Sequence, residues 1–194
     1  MYEFVNGRIA GLTPANAVIE TGGIGYFIHI SLNTYSAING KEKVLLYLHQ
    51  VVREDAHLLY GFADDEERGL FRMLISVSGI GSSTALMMLS SLNPDEIRRA
   101  ILEENVNLIK AVKGIGIKTA QRLIIDLKDK VSKLPASDQI LFNRLDNTIR
   151  EEALSALVML GFVRKDVEKE LDKLLKENPS IKVEQLIKSA LKSL

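Results

Sequence analysis

One stretch of the chain repeats. Residues Leu74 to Leu89 lie on Ile109 to Ile124 at an offset of 35, so that Val77 matches Val112, Gly79-Ile80-Gly81 matches Gly114-Ile115-Gly116, and Thr84-Ala85 matches Thr119-Ala120. Apolar residues at helical spacing flank each Gly-Ile-Gly, so each copy reads as helix, tight turn, helix. The glycines permit a left-handed backbone in the turn and leave no side chain between that backbone and whatever approaches it. The central isoleucine pins the turn into a core. Because the turn opens a helix, unpaired N–H groups and the positive end of the helix dipole face outward, a geometry that suits a phosphate. Backbone donors to phosphate carry no base information, so the expectation is nucleic-acid binding without sequence preference.

Two nucleotide-binding readings of the same glycines fail on spacing. A phosphate-binding P-loop needs Gly followed directly by Lys, whereas Ile117 separates Gly116 from Lys118, and the element before the loop is a helix rather than a strand. Neither copy has the third glycine of a dinucleotide fingerprint. A helix-helix turn with no ligand stays open for one copy, less so for two with matched flanks.

Charge supports phosphate only when read locally. The 25 basic and 25 acidic side chains of the 194 residues cancel, yet Asn107 to Lys133 holds seven basic residues (Lys110, Lys113, Lys118, Arg122, Lys128, Lys130, Lys133) against Asp126 and Asp129. That surplus is the footprint of a phosphate-binding surface, although a solvated helix face would look the same.

Ahead of the repeat, Met1 to about Ala63 alternates apolar and polar residues in short runs such as Tyr26-Phe27-Ile28-His29-Ile30. Turn signals stand at Asn6-Gly7, Gly22-Gly23 and Asn39-Gly40. Period two predicts five or six strands, and closure into a small barrel removes their unpaired edges. From Asp64 the period is helical, with Asn93-Pro94-Asp95-Glu96 a capping-box start. Helices are expected near Glu67–Val77, Ser83–Ser90, Pro94–Glu103, Val106–Val112 and Lys118–Ser132. Residues 134–146, with Leu134-Pro135-Ala136-Ser137-Asp138, read as a linker. Three amphipathic helices follow, Thr148–Leu160, Lys165–Lys176 and Val183–Leu194, with Gly161 as a left-handed stop and Pro179 ending the second connection. The apolar residues of this last module are mostly core, and an exposed remainder would suit a partner's groove.

Cysteine is absent, which removes disulfides and cysteine metal sites and fits a reducing compartment. His29, His49 and His57 lie apart in strands and argue against a zinc site. Met1-Tyr2-Glu3-Phe4 is no signal-peptide start and no apolar run approaches a membrane span, so the expectation is a soluble, cytoplasmic protein.

The order of these features resembles the RuvA family, the junction-binding subunit of the bacterial branch-migration helicase. The resemblance rests on Gly7-Arg8-Ile9, Gly22-Gly23-Ile24-Gly25-Tyr26, Val51-Val52-Arg53-Glu54-Asp55-Ala56 through Leu58-Leu59-Tyr60-Gly61-Phe62, both hairpins, and Ala153 to Phe162. It implies an α+β multidomain chain. Residues 1–63 would form an oligonucleotide/oligosaccharide-binding (OB) barrel and oligomer core. Residues 64–133 would form an all-α tandem helix-hairpin-helix domain, and 147–194 a UBA-like three-helix module that docks a RuvB-type AAA+ motor. It also implies a homotetramer or face-to-face octamer holding a four-way junction open in DNA recombination and the repair response, with a RuvC-type resolvase as a further partner. No cofactor and no metal belong to the chain itself, ATP and magnesium being used by the motor.

Carried over residue by residue, Glu54 and Asp55 match the family's acidic pin, and Lys118, Thr119 and Arg122 match its phosphate contacts, beside Gly79, Gly81, Gly114 and Gly116. Unit charges about 4 Å apart in an effective dielectric near 20 repel by roughly 4 kcal/mol before screening, so carboxylates at a junction centre would resist its closure. Without the resemblance, Arg53-Glu54-Asp55 is a charged hairpin turn. Ser82-Ser83 departs from the family, in which proline and lysine are common at those positions, and hydroxyls replace a cation there. Two competing functions stay open: a magnesium-dependent nuclease using Glu54 and Asp55, and a protein-binding adaptor with vestigial hairpins.

Overall fold

The computed structural model describes residues 1–132, 144–178 and 181–193. The expected linker, apart from its last residues 144–146, falls outside them, as do Lys133, Pro179 and Leu194. The chain divides into two compact units, Met1–Leu134 and Pro135–Leu194.

Five strands, β1 (Phe4–Thr13), β2 (Asn16–Thr21), β3 (Ile24–Ile30), β4 (Lys43–Val52) and β5 (His57–Phe62), close into a barrel in the order β1-β2-β3-β5-β4. All pairings are antiparallel except β3 with β5, and β1 carries a register shift between Ile9 and Gly11 as it passes from β4 to β2. Such a bulge bends a long strand around a barrel corner. Val5, Ala17, Ile19, Ile28, Ile30, Val44, Leu46 and Leu48 fill the interior.

The barrel departs from the expected strand-and-turn pattern at two places. Asn6-Gly7 is not a turn but lies inside β1, where a Cβ on Gly7 would meet the Glu20 carbonyl at 2.2 Å. The glycine serves close strand packing rather than chain reversal. Asn39-Gly40 does not join two strands but ends a helix, α1 (Leu32–Ile38), between β3 and β4. Ser31 caps it by accepting from the Thr34 N–H at 3.0 Å. Seven residues are too few to show a helical period, so only that cap marked it. Gly22 and Gly23, both at positive φ, do form the β2–β3 turn.

Five helices follow in the same unit: α2 (Asp65–Ile75), α3 (Ser82–Ser91), α4 (Pro94–Leu102), α5 (Val106–Lys110) and α6 (Ile117–Ser132). Asn93 and Glu96 form the expected capping box reciprocally. The helices bury Leu70, Phe71, Leu74, Met88, Leu89, Ile97, Leu123 and Leu127 together with Tyr60 and Phe62 from the outer side of β5. Phe71 lies 4.9 Å from Phe62 and 5.2 Å from Tyr60 between ring centroids. One wall of the barrel is thus part of the helical core, and Gly61 between those rings lets Ile28 and Leu46 close the barrel on the other side. Truncating a ring so enclosed costs about 3–5 kcal/mol.

Polar contacts seal the same seam. Arg68, buried, donates to the Glu3 carbonyl at 2.9 Å and pairs with the carboxylates of Glu3 and Asp65. Asn33 of α1 donates to the carbonyl of Leu89 in α3 at 2.6 Å, and Leu32 N–H donates to Ser90 Oγ at 3.1 Å.

The second unit holds α7 (Arg144–Met159), α8 (Arg164–Glu177) and α9 (Val183–Ser193). Its core is Ala153, Leu154, Leu157, Val167, Leu171, Ile181, Leu186 and Ala190. Gly161 stops α7 at φ +98°, with Gly161 N–H donating to Val158 and Phe162 N–H to Leu157. This paired pattern satisfies the last carbonyls of a helix.

Candidate nucleic-acid interface

The two Gly-Ile-Gly turns are the same structure twice. The first glycine of each is left-handed, Gly79 at φ +93° and Gly114 at φ +92°, where a side chain would be strained. Ile80 N–H donates to Val77 at 3.1 Å and Ile115 N–H to Val112 at 3.2 Å. Val77, Ile80, Val112 and Ile115 are all buried, so the isoleucines pin both turns as expected.

The second glycine of each turn has a different job. Gly81 adopts ordinary extended backbone at φ −85°, Gly116 is outside the left-handed region, and a Cβ on either would meet nothing within 4 Å. Neither is needed by the fold of this chain. Both stand where a helix carries its cap. In the same unit α1, α2, α4 and α5 are capped by Ser31, Asp64, Asn93 and Asn105, each accepting a backbone N–H. Gly81 supplies no side-chain cap to α3, and Gly116 has no side chain to supply one to α6. The two helices that follow the turns therefore present bare N–H donors in open space, and an anion is the natural acceptor.

The hairpins are exposed at Gly79, Gly81, Gly114 and Gly116, and Ser83, Lys118 and Arg122 are exposed beside them. Ser82 is different. It is only 6% exposed, which takes it off the surface and leaves Ser83 as the open hydroxyl of the first turn. Thr119 is half-buried and lies beside Gly79 of the opposite hairpin.

Pairing positions across the repeat shows how unequal the copies are. Lys110, Lys113, Lys118 and Arg122 of the second stand against Ile75, Ser78, Ser83 and Met87 of the first. No ion pair engages those four cations among the described residues, whereas Lys128 is held by Glu104. At these paired positions every cation sits on the second hairpin, Lys113 in its turn included.

Glu54 and Asp55 form the tip of the β4–β5 arm, closed by Arg53 N–H donating to the Ala56 carbonyl at 2.8 Å. Residues 52–55 are all exposed, and among the described residues neither carboxylate has an ion-pair partner. The arm is rooted by Val51 and Leu58, which pack on the helical core. No group of three or more potential metal ligands occurs among the described residues. None of the helices searched is long and apolar enough to cross a membrane.

A closed five-stranded barrel sharing its core with two uncapped Gly-Ile-Gly helices defines a class, the barrel-bearing tandem helix-hairpin-helix proteins. Comparison with known proteins narrows it. Residues 1–61 match the family described as the RuvA N terminal domain, 71–129 the SAM-like helix-hairpin-helix tandem, and 148–194 the RuvA C-terminal domain. Similar proteins include one from Christiangramia forsetii, 53% identical over 194 residues, and one from Bacteroides thetaiotaomicron, 51% identical over 201. Another, from Flavobacterium psychrophilum, is 46% identical over 194 residues. Each alignment covers 100% of both chains, and each relative is named Holliday junction branch migration complex subunit RuvA. The chain belongs to the RuvA family.

Proposed function

We propose that this chain binds four-way junction DNA by shape, without reading sequence, and presents it to a separate ATP-driven motor for branch migration in recombination and repair. The observation that carries this reading is the pair of uncapped helix N-termini behind Gly81 and Gly116, twin phosphate sites built into one rigid core. Gly79 and Gly114 shape the turns, Ser83 and the cations Lys118 and Arg122 add side-chain contacts, and Thr119 braces the second helix against the first turn.

Selectivity for a junction needs more than hairpins, since phosphate contacts are common to every duplex. It comes from several copies, a tetramer or a face-to-face octamer, bringing their Glu54 and Asp55 tips to the centre of a four-way crossing. There the carboxylates repel phosphate and hold the strands apart. The chain performs no hydrolysis in this reading. ATP and magnesium belong to a RuvB-type AAA+ motor, docked by the C-terminal module, and a RuvC-type resolvase would act on the junction so held.

We assign the motor's docking place on that module to its exposed apolar residues. Met159 is 86% exposed, with Leu160 at 62% and Val163 at 65% on either side of the Gly161 stop. A cluster of exposed apolar side chains at one helix end suits a partner's surface.

The test is a gel-shift comparison of a four-way junction with a linear duplex of the same arms, with and without magnesium. Junction preference without cleavage supports the reading. Cleavage in magnesium would make it a nuclease, and no affinity for branched DNA at low salt would make it a protein adaptor.

A further inference from the structure

At the seam between barrel and hairpin domain lies a carboxyl group that no step above uses. Glu67, in the first turn of α2, is 2% exposed. One oxygen accepts from the Ser31 hydroxyl and the other from the Thr34 hydroxyl at 2.6 Å. Those hydroxyls are themselves fixed, since Ser31 Oγ accepts from Thr34 N–H and Thr34 Oγ1 accepts from Ala63 N–H at 3.1 Å. A single side chain thus ties together the end of β3, the start of α1, the chain leaving β5, and α2, which leads into the first hairpin.

The position is costly to fill. A buried carboxyl with hydroxyl donors and, among the described residues, no salt-bridge partner loses hydration that an apolar residue would not need. Packing alone already joins the two domains through Tyr60, Phe62 and Phe71, but stacked apolar surfaces tolerate sliding, whereas two short hydrogen bonds to fixed hydroxyls admit one angle.

We infer that Glu67 is a positioning residue that holds the hairpins at one angle to the barrel and its acidic tip, and so sets the discrimination of junction from linear duplex. The inference rests on the proposed junction binding. Each copy's hairpins can meet a duplex arm whatever the angle. Only a fixed angle lets them do so while the acidic tips converge on the centre.

The test uses the full chain with Glu67→Ala, Glu67→Gln and the milder Thr34→Val. Gln keeps the shape and can still pair with both hydroxyls. The expected result is a junction-to-duplex affinity ratio reduced about tenfold in Glu67→Ala, reduced less in Thr34→Val, and retained in Glu67→Gln. Partial unfolding would lower both affinities together and leave the ratio alone. The absence of cysteine permits a second readout, spin labels on cysteines placed at exposed Lys43 and Asp129 and diluted in unlabelled chain. Their distance distribution should broaden in Glu67→Ala and stay narrow in Glu67→Gln. If Glu67→Ala does not fold, Thr34→Val must show both changes in lesser degree. An unchanged ratio with an unchanged distribution overturns the inference. A wild-type chain with no junction preference overturns the function on which it rests, whatever the labels show.

Discussion

Thr119 packs over Gly79, and Thr84 packs over Gly114 in return: a methyl group on Gly79 would lie 3.8 Å from Thr119, and one on Gly114 would lie 3.9 Å from Thr84. Each threonine belongs to the helix that follows the other hairpin, so the copies grip each other reciprocally, as subunits do across a two-fold interface. Spacing between the two turns is therefore a property of the folded pair.

The glycines of one turn should separate by substitution. Gly114→Ala places a side chain at φ +92° and should cost about 1–2 kcal/mol in thermal or urea unfolding. Gly116→Ala meets nothing in the chain and should leave stability within about 0.5 kcal/mol. It should still weaken DNA binding about tenfold, because the added methyl group would stand between the helix's N–H donors and a phosphate. Equal effects of the two on binding per unit of stability lost would show that Gly116 is structural.

Salt dependence should expose the unequal hairpins. Lys118→Ala should lower the slope of log affinity against log salt by about 0.9, one phosphate contact, while Ser83→Ala should leave the slope unchanged and weaken binding less. A gel-shift titration with the reverse order would return the first hairpin to equal standing. Ser83→Lys should gain affinity and steepen the slope.

Neutralising the tip with Glu54→Gln and Asp55→Asn should leave the melting temperature unchanged, because both side chains are exposed and have no ion-pair partner among the described residues. It should raise affinity for junction and duplex alike as repulsion from phosphate is removed. Fluorescence transfer between opposed junction arms should report a less open complex. Unaltered affinity and arm geometry would reduce the tip to a solvated turn.

Burial raises the Glu67 carboxyl above its ordinary value, with Asp64 adding to the effect and hydroxyl donation from Ser31 and Thr34 opposing it. The unfolded chain therefore ionises first as pH rises from about 4.5. Above that point the folded state holds the extra proton, and stability falls until pH passes the raised value. The stabilisation is present at low pH and lost at high pH. Glu67→Gln should remove this slope and gain on wild type in melting temperature as pH rises. A difference between the two that is constant with pH would contradict it.

On the C-terminal module, Met159→Glu should abolish capture of the purified motor while leaving its own melting temperature and the junction affinity of the chain intact, since Met159 is 86% exposed. Loss of junction binding in this variant would assign the patch to DNA or to assembly.

Much of this is legible in the amino-acid sequence. Helix positions followed from the apolar period, the capping box at Asn93 from residue types at fixed spacing, and Gly161 from the rule that a left-handed stop favours glycine. The repeat named both hairpins, and Ile80 and Ile115 were buried as their pattern required. Short-range signals such as these depend on a few neighbouring residues. They failed where one dipeptide serves two geometries. Asn6-Gly7 carries a turn's composition but lies in β1, where the Glu20 carbonyl leaves room only for glycine at position 7, and Asn39-Gly40 ends a helix too short to announce itself.

The amino-acid sequence by itself determined that there are two hairpins, that their turns face outward without side chains, and that one carries the cations. Only the tertiary structure decided the rest. It buried Ser82 and left Ser83 open, set Thr119 against Gly79, and enclosed Glu67 between hydroxyls contributed 33 and 36 residues earlier in the chain. No local pattern encodes such relations, because which groups lose water and which find a donor depends on the elements that pack around them.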